Sequence, residues 1–168
     1  MIRKRIAMVT ATMLVAAFMT PGTAGGAVTA DNSCWNTKRS EKRFAKKINN
    51  ARSNAGVRKL SLDPELSKVA RKHTREMTGK GSLFHTTAEQ FRKRVTNWTL
   101  LGENVGAGAG VSTLHTAFMS SPLHKANILK SSFRHVGVGV SKVNGTMWVT
   151  VVFEARSDPG TTLKMPSC

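Results

Sequence analysis

The run Val136-Gly137-Val138-Gly139-Val140 constrains this chain more than any other stretch. A β-branched residue alternating with glycine makes a strand with one apolar face and one bare face, on which a second backbone or a helix can lie closely. Asn144-Gly145 follows as a hairpin turn signal. The return strand, Met147 to Phe153, carries Trp148, Thr150 and Val152 on one face and Met147, Val149, Val151 and Phe153 on the other. Both faces are largely apolar, so this is a central strand covered on both sides. Helical patterns come first and strands last. The expected class is α+β, with helices sandwiching a central, mainly antiparallel sheet.

The helices are read from periodicity and caps. Phe44, Ile48 and Ala51 share one face of a helix from Glu41 to about Asn54, with lysines and arginines on the remainder. Asp63-Pro64-Glu65 is an N-cap, a first-turn proline and a first-turn acid. The stripe Leu66, Val69, Ala70, His73, Met77 follows, stopped by Gly79 and Gly81. A third helix is expected near Ala88 to Val95. A fourth should be capped by Ser112, carry Leu114, Ala117 and Phe118, and break at Ser121-Pro122. His73 lies on an apolar stripe and reads as a core histidine with a local partner. His115 reads as a surface residue.

Residues 1–30 have the form of a secretory leader: Arg3-Lys4-Arg5, an uncharged run from Ile6 to Met19, then small residues with cleavage sites near Ala27 or Ala30. The run is short for a membrane span and is followed by Pro21 and Gly22, so the mature chain is expected to be secreted without a transmembrane segment. Residues 31–43 form an arm, 44–156 the single domain, and 157–168 a tail. Cys34 and Cys168 are the only cysteines, and an exported pair most simply forms a disulfide joining the two ends.

Formal charge is +17 for the chain and falls to +14 when the leader's three cations leave. Such a balance favours anionic partners outside the cell, wall polymers or lipid headgroups, and nucleic acid is disfavoured for an exported protein. Gly102, Gly106, Gly108 and Gly110 form a glycine-rich bend whose spacing fits neither the dinucleotide fingerprint nor the phosphate loop, so no nucleotide is expected.

Glu103 follows a glycine in that bend, His124 follows Pro122 on a short helical turn, and His85 sits on a connection beside a helix start. Converging, two imidazoles and a carboxylate could hold zinc or another divalent cation, with Glu103 either as a ligand or behind a histidine ligand, or move protons without metal. There is no His-Glu-x-x-His and no Gly-x-Ser-x-Gly. Ser120 and Ser121 beside His124 read as turn residues rather than nucleophiles.

In order, Ile48-Asn49-x-x-Arg52, Leu66-x-x-x-Ala70, His73, Phe84-His85, Gly102-Glu103-Asn104-Val105, Ser121-Pro122-x-His124-x-x-Asn127-Ile128-Leu129 and Phe133-x-x-Val136-Gly137-Val138-Gly139 resemble the bacterial branch of the CAP superfamily. This is the family of cysteine-rich secretory proteins, antigen 5 and pathogenesis-related 1 proteins. The resemblance implies an α-β-α sandwich with a cleft holding two histidines and two acids that bind divalent cations in some members. It assigns the histidines to His85 and His124 and the first acid to Glu103. The second acid has no match: the chain reads Phe118-Met119-Ser120-Ser121 where the family often has Trp-x-x-Glu, which implies weaker metal binding. Lipid or sterol-like ligands are implied as partners, and no common reaction is. The expectation is an extracellular binding module rather than an enzyme, the alternative being a metal-assisted or acid/base hydrolase of peptide or cell-wall substrates.

Overall fold

The computed structural model describes residues 5–6 and 36–155. Cys34, Cys168, Trp35, both cleavage sites and the C-terminal tail lie outside the described residues. The elements run β1 (Arg5–Ile6), α1 (Arg39–Asn54), β2 (Ser61–Leu62), α2 (Pro64–Lys80), α3 (Ala88–Arg94), β3 (Leu100–Gly108), α4 (Val111–Ser120), α5 (Pro122–Leu129), β4 (His135–Val143) and β5 (Thr146–Ala155). The sheet order is β1-β3-β5-β4-β2. The three long strands are antiparallel, and the two-residue strands add in parallel at the edges. β5 is central, as its doubly apolar pattern requires. β1 falls within the stretch read as a leader and excluded from the fold; two of those residues pair with Leu100 and Leu101.

Val136, Val138, Val140, Val149, Val151 and Phe153 make one core with Phe44 and Ile48 of α1, Leu114 and Phe118 of α4 and Ile128 of α5. On the other face Val152 and Leu101 meet Leu66, Val69 and Ala70 of α2, Phe91 of α3, and Val95 and Trp98 beyond it. The result is three layers, helix on sheet on helix. The bare face of β4 is where α2 lands: a Cβ built on Gly137 would lie 2.1 Å from the Leu66 carbonyl carbon, and one on Gly139 would lie 2.3 Å from that of Ala70. Asn144 (φ 49°) and Gly145 (φ 78°) supply the two left-handed residues that the β4–β5 hairpin turn needs.

Asp63 caps α2 by accepting from the Leu66 N–H at 3.0 Å, and Gly81, left-handed at φ 63°, ends it. The helix runs through Gly79, whose missing side chain leaves only open space. α1 begins at Arg39, inside the segment expected to be an arm, because Glu41 at the third helical position accepts the Lys38 N–H at 2.9 Å. α4 is capped by Gly110 rather than Ser112, which lies within the first turn.

The glycine-rich segment is not a bend. Gly102 to Gly108 belongs to β3, and its glycines serve close approach rather than turning. Added Cβ atoms would lie 2.8 Å from Phe133 at Gly102, 3.0 Å from Phe118 at Gly106 and 3.1 Å from Leu114 at Gly108. Between Gly102 and Gly108 that face of the strand carries one side chain, Asn104, and the helical layer closes onto the bare positions around it.

Candidate functional site

β1 pairs with Leu100 and Leu101, and among the described residues no strand pairs with the outer edge of β3 beyond them. Side chains alternate along the strand: Glu103 shares a face with Leu101, toward α2 and α3, while Asn104 faces α5 with Gly102. His85, on the connection from α2 to α3, approaches from the first side. His124, in the first turn of α5, approaches from the second.

Glu103 is buried, its side chain only 1% exposed. Its Oε2 accepts from the Thr86 N–H at 2.9 Å and lies 2.9 Å from His85 Nδ1, and its Oε1 accepts from the Thr86 hydroxyl at 2.6 Å. The Glu103 oxygens act as acceptors toward Thr86, so His85 Nδ1 carries the hydrogen of the contact, and whenever the ring is neutral its lone pair is at Nε2. The His85 side chain is 27% exposed. The buried acid therefore fixes the tautomer and orientation of an accessible imidazole.

Asn127 connects the two sides. Its amide donates to the Glu103 carbonyl at 3.1 Å and to Asn104 Oδ1 at 2.9 Å, while the Asn104 amide donates to the His124 carbonyl at 3.0 Å. α5 is thereby pinned to β3 at the residues flanking the site. Gly102 makes the approach feasible, since a Cβ there would meet Asn127 Oδ1 at 3.2 Å. The His124 ring lies against Phe118, with centroids 4.7 Å apart and planes tilted by 31°. Burial, and then the charge of His85, lower its pKa, and its Nδ1 is buried with no hydrogen-bond partner among the described residues. The two histidines are near enough to sense each other.

Of the three expected site residues, His85 and Glu103 are in direct contact, while His124 stands on the other side of β3 and is tied to it through the backbone by Asn104 and Asn127. Thr86, Asn104 and Asn127 hold the arrangement, and none was assigned a role from sequence. Thr86 directly follows His85, and that is its sequence signal; Asn127 lies one helical turn after His124 and is a position of the motif that carries the family resemblance, though without a role attached. His73 is a core residue, fully buried, with Nε2 2.7 Å from the Phe84 carbonyl and Nδ1 3.3 Å from Glu76. His115, expected at the surface rather than in the site, is partly exposed and packs against Phe44, and burial and then the Lys47 charge lower its pKa.

His115 and His124 predict an acid-labile fold. Both have folded pKa values below 6.5, so the unfolded chain binds protons first on acidification, and stability is fully present above pH 6.5 and declines below it. Urea midpoints should fall between pH 7.5 and pH 5.5. A His115→Gln/His124→Gln double variant should lose less over the same interval, and an equal loss would remove the histidines as the cause.

Among the described residues no group of three or more His, Cys, Asp or Glu is disposed to hold a metal ion. No helix of the described residues is long and apolar enough to cross a membrane. A model of the cysteine-rich secretory protein family, CAP, matches residues 45–153. The protein YkwD of Bacillus subtilis (strain 168) is 29% identical over 115 residues, which is 64% of this chain and 44% of that protein; the chain spans less than half of this relative. An outer surface protein from Borrelia burgdorferi superposes with a TM-score of 0.67 at 21% identity, over 74% of this chain and 98% of its own. An extracellular protein containing an SCP domain from Bacillus anthracis gives 0.62 at 23% identity, over 70% of this chain and 40% of its own.

Proposed function

The chain belongs to the cysteine-rich secretory protein (CAP) family, and on that premise we propose that it is an extracellular binding module whose cleft presents His85 and His124 to a polar ligand, while its basic surface holds it on anionic wall or lipid components. The observation that carries this reading is the use of Glu103: both carboxylate oxygens are engaged by Thr86 and His85, so the acid orients an imidazole and is not itself open to a ligand. Export is supported by the leader-like residues 1–30 and by the extracellular SCP protein that the fold resembles.

The donors do not fit a structural zinc centre, which needs four protein ligands. They fit a weaker seat in which His85 Nε2 and His124 supply two nitrogens, with Glu103 raising the basicity of His85 from behind. Zinc titrated calorimetrically into the full chain at pH 7.5 should bind with modest affinity and weaken as pH falls and the imidazoles protonate. His85→Ala and His124→Ala should each weaken it at least tenfold, roughly the scale of losing one ligand or its partner. Unchanged heats in both variants would overturn the cation seat.

The Glu103-His85 pair also favours a second reading, a hydrolase of peptide or wall substrates in which His85 Nε2 takes a proton from water. Glu103→Gln separates the two. A general base would lose turnover while ligand retention stayed near wild type; a binding module has no turnover to lose.

A further inference from the structure

We propose that the seam between α1 and α4 is a track for a linear polyol-phosphate polymer of the teichoic-acid type, held by Arg39, Arg43 and Lys47 and continued by Lys125. The inference rests on the extracellular reading above and names the surface and the partner chemistry. Arg39, Arg43 and Lys47 are spaced by four residues on α1, and each lines a hollow along this seam. The first, about 580 Å3, lies where Arg39 and Arg43 face Gly110, Ser112 and Thr113 at the start of α4. The second, about 470 Å3, lies where Lys47 faces His115 of α4 and Lys125 of α5. The two follow one another in the same direction along both helices. Successive cations are therefore about 6 Å apart along the axis, comparable with the interval between phosphates in an extended polyol-phosphate chain.

Charge distribution supports a polyanion on this side alone. No Asp or Glu occurs from Asn104 to Phe153, which covers α4, α5, β4 and most of β5. Glu41, the only acid of α1, is fully buried and paired with Arg71 of α2. The accessible acids among the described residues, Glu65, Glu76 and Glu89, are on α2 and α3, across the sheet. Basic side chains on that opposite layer have carboxylates nearby, as in Arg94 with Glu76 and Lys93 with Glu89. Those along the seam have none among the described residues.

The hollows suit more than point charges. The first α4 turn has no side-chain cap on its N–H groups, since Gly110 is the N-cap. In the second hollow His115 keeps a buried Nε2 with no partner among the described residues, and Asn50 and Asn54 add amides for polyol hydroxyls. Lys47 and His115 are less exposed than Arg39 and Arg43, which suits a narrow strand that follows both hollows better than a flat membrane surface.

The test measures binding of purified lipoteichoic acid, deacylated so that only the polymer remains, to the full chain over a salt series. An Arg39→Gln/Arg43→Gln/Lys47→Gln variant should lose at least tenfold in affinity, and its log–log salt slope should flatten by about two, near 0.7 for each phosphate no longer neutralised. A Lys72→Gln/Arg75→Gln/Arg92→Gln variant, with the same charge change across the sheet, should lose little. Equal losses in both variants would overturn the track while leaving a diffuse basic surface intact. No binding by wild type would overturn the basic-surface reading as well. Tighter binding to anionic phospholipid vesicles, or to single-stranded DNA, than to the polymer would overturn the assigned partner class. Circular dichroism melts confirm that both variants fold.

Discussion

Gly137→Ala is expected to destabilise the protein by about 3 kcal/mol or more, at the upper end of what overpacking costs. The added Cβ would sit 2.1 Å from the Leu66 carbonyl carbon, 2.4 Å from the Leu66 Cβ and 2.4 Å from the Leu66 carbonyl oxygen. None of these is the far end of a flexible side chain. Relief requires lifting α2 off the sheet, which opens the packing of Leu66, Val69 and Ala70 against Val152 and pulls on the Thr74 hydroxyl, 2.9 Å from Thr150 Oγ1 and 3.1 Å from the Gly139 carbonyl. Elsewhere the same substitution has the opposite sign. Gly79 lies inside α2 with nothing near its missing Cβ, so Gly79→Ala should stabilise by about 0.5–1 kcal/mol through helix propensity. Thermal melts of the two variants check both signs, and a Gly137→Ala melt near wild type would mean that α2 does not rest on β4.

The same contrast explains what could be read in advance. β4 was legible because its glycines alternate with valines and are followed by Asn144-Gly145, so a bare-faced strand is the simplest object with that pattern. β3 contains the same device but does not announce it. Its glycines are irregularly spaced and interrupted by Glu103 and Asn104, and a segment that polar reads as a bend unless Phe118, Leu114 and Phe133 are known to fill the vacant positions. What makes it a strand is long-range pairing with β5, a tertiary fact.

The site divides the same way. His85, Glu103 and His124 could be gathered through the family resemblance, but their roles could not. Whether Glu103 faces the cleft or backs His85 depends on which side of β3 it occupies, and a one-residue error in register would reverse it. Thr86 is an ordinary polar residue in sequence, and Asn127 is a motif position whose task the motif does not state. Their significance arises only because Glu103 needs donors in a buried place and because β3 is tied to α5 there.

Arg52→Met should cost about 3–5 kcal/mol, the scale of removing a partner from a buried charged network. The guanidinium is fully buried on α1 and has no carboxylate partner among the described residues. It donates instead to four carbonyls: Nε to Arg58 at 2.7 Å, Nη1 to Ile128 at 2.7 Å and Lys130 at 2.9 Å, and Nη2 to Phe133 at 3.4 Å. Burial, and then the charge of Arg134, push its pKa down, but a guanidinium remains charged throughout the accessible range. Methionine can fill the volume but supplies no hydrogen, so several buried carbonyls lose their donor together. Lysine has three donors on a point charge and cannot match a planar fork spread over three segments, so Arg52→Lys should recover only part of the loss. Global melting would register both variants, yet it would not distinguish this residue from any other core position. Hydrogen exchange does. Two of the four carbonyls, Ile128 and Lys130, belong to the C-terminal end of α5, whose first turn carries His124. Arg52→Met should therefore raise exchange in α5 and in the 130–134 connection more than in α2 or α3 at temperatures where the rest of the fold is intact. Uniform acceleration across all helices would reduce Arg52 to a general core contact; selective loosening of α5 would make it the residue through which α1 holds one half of the site in place.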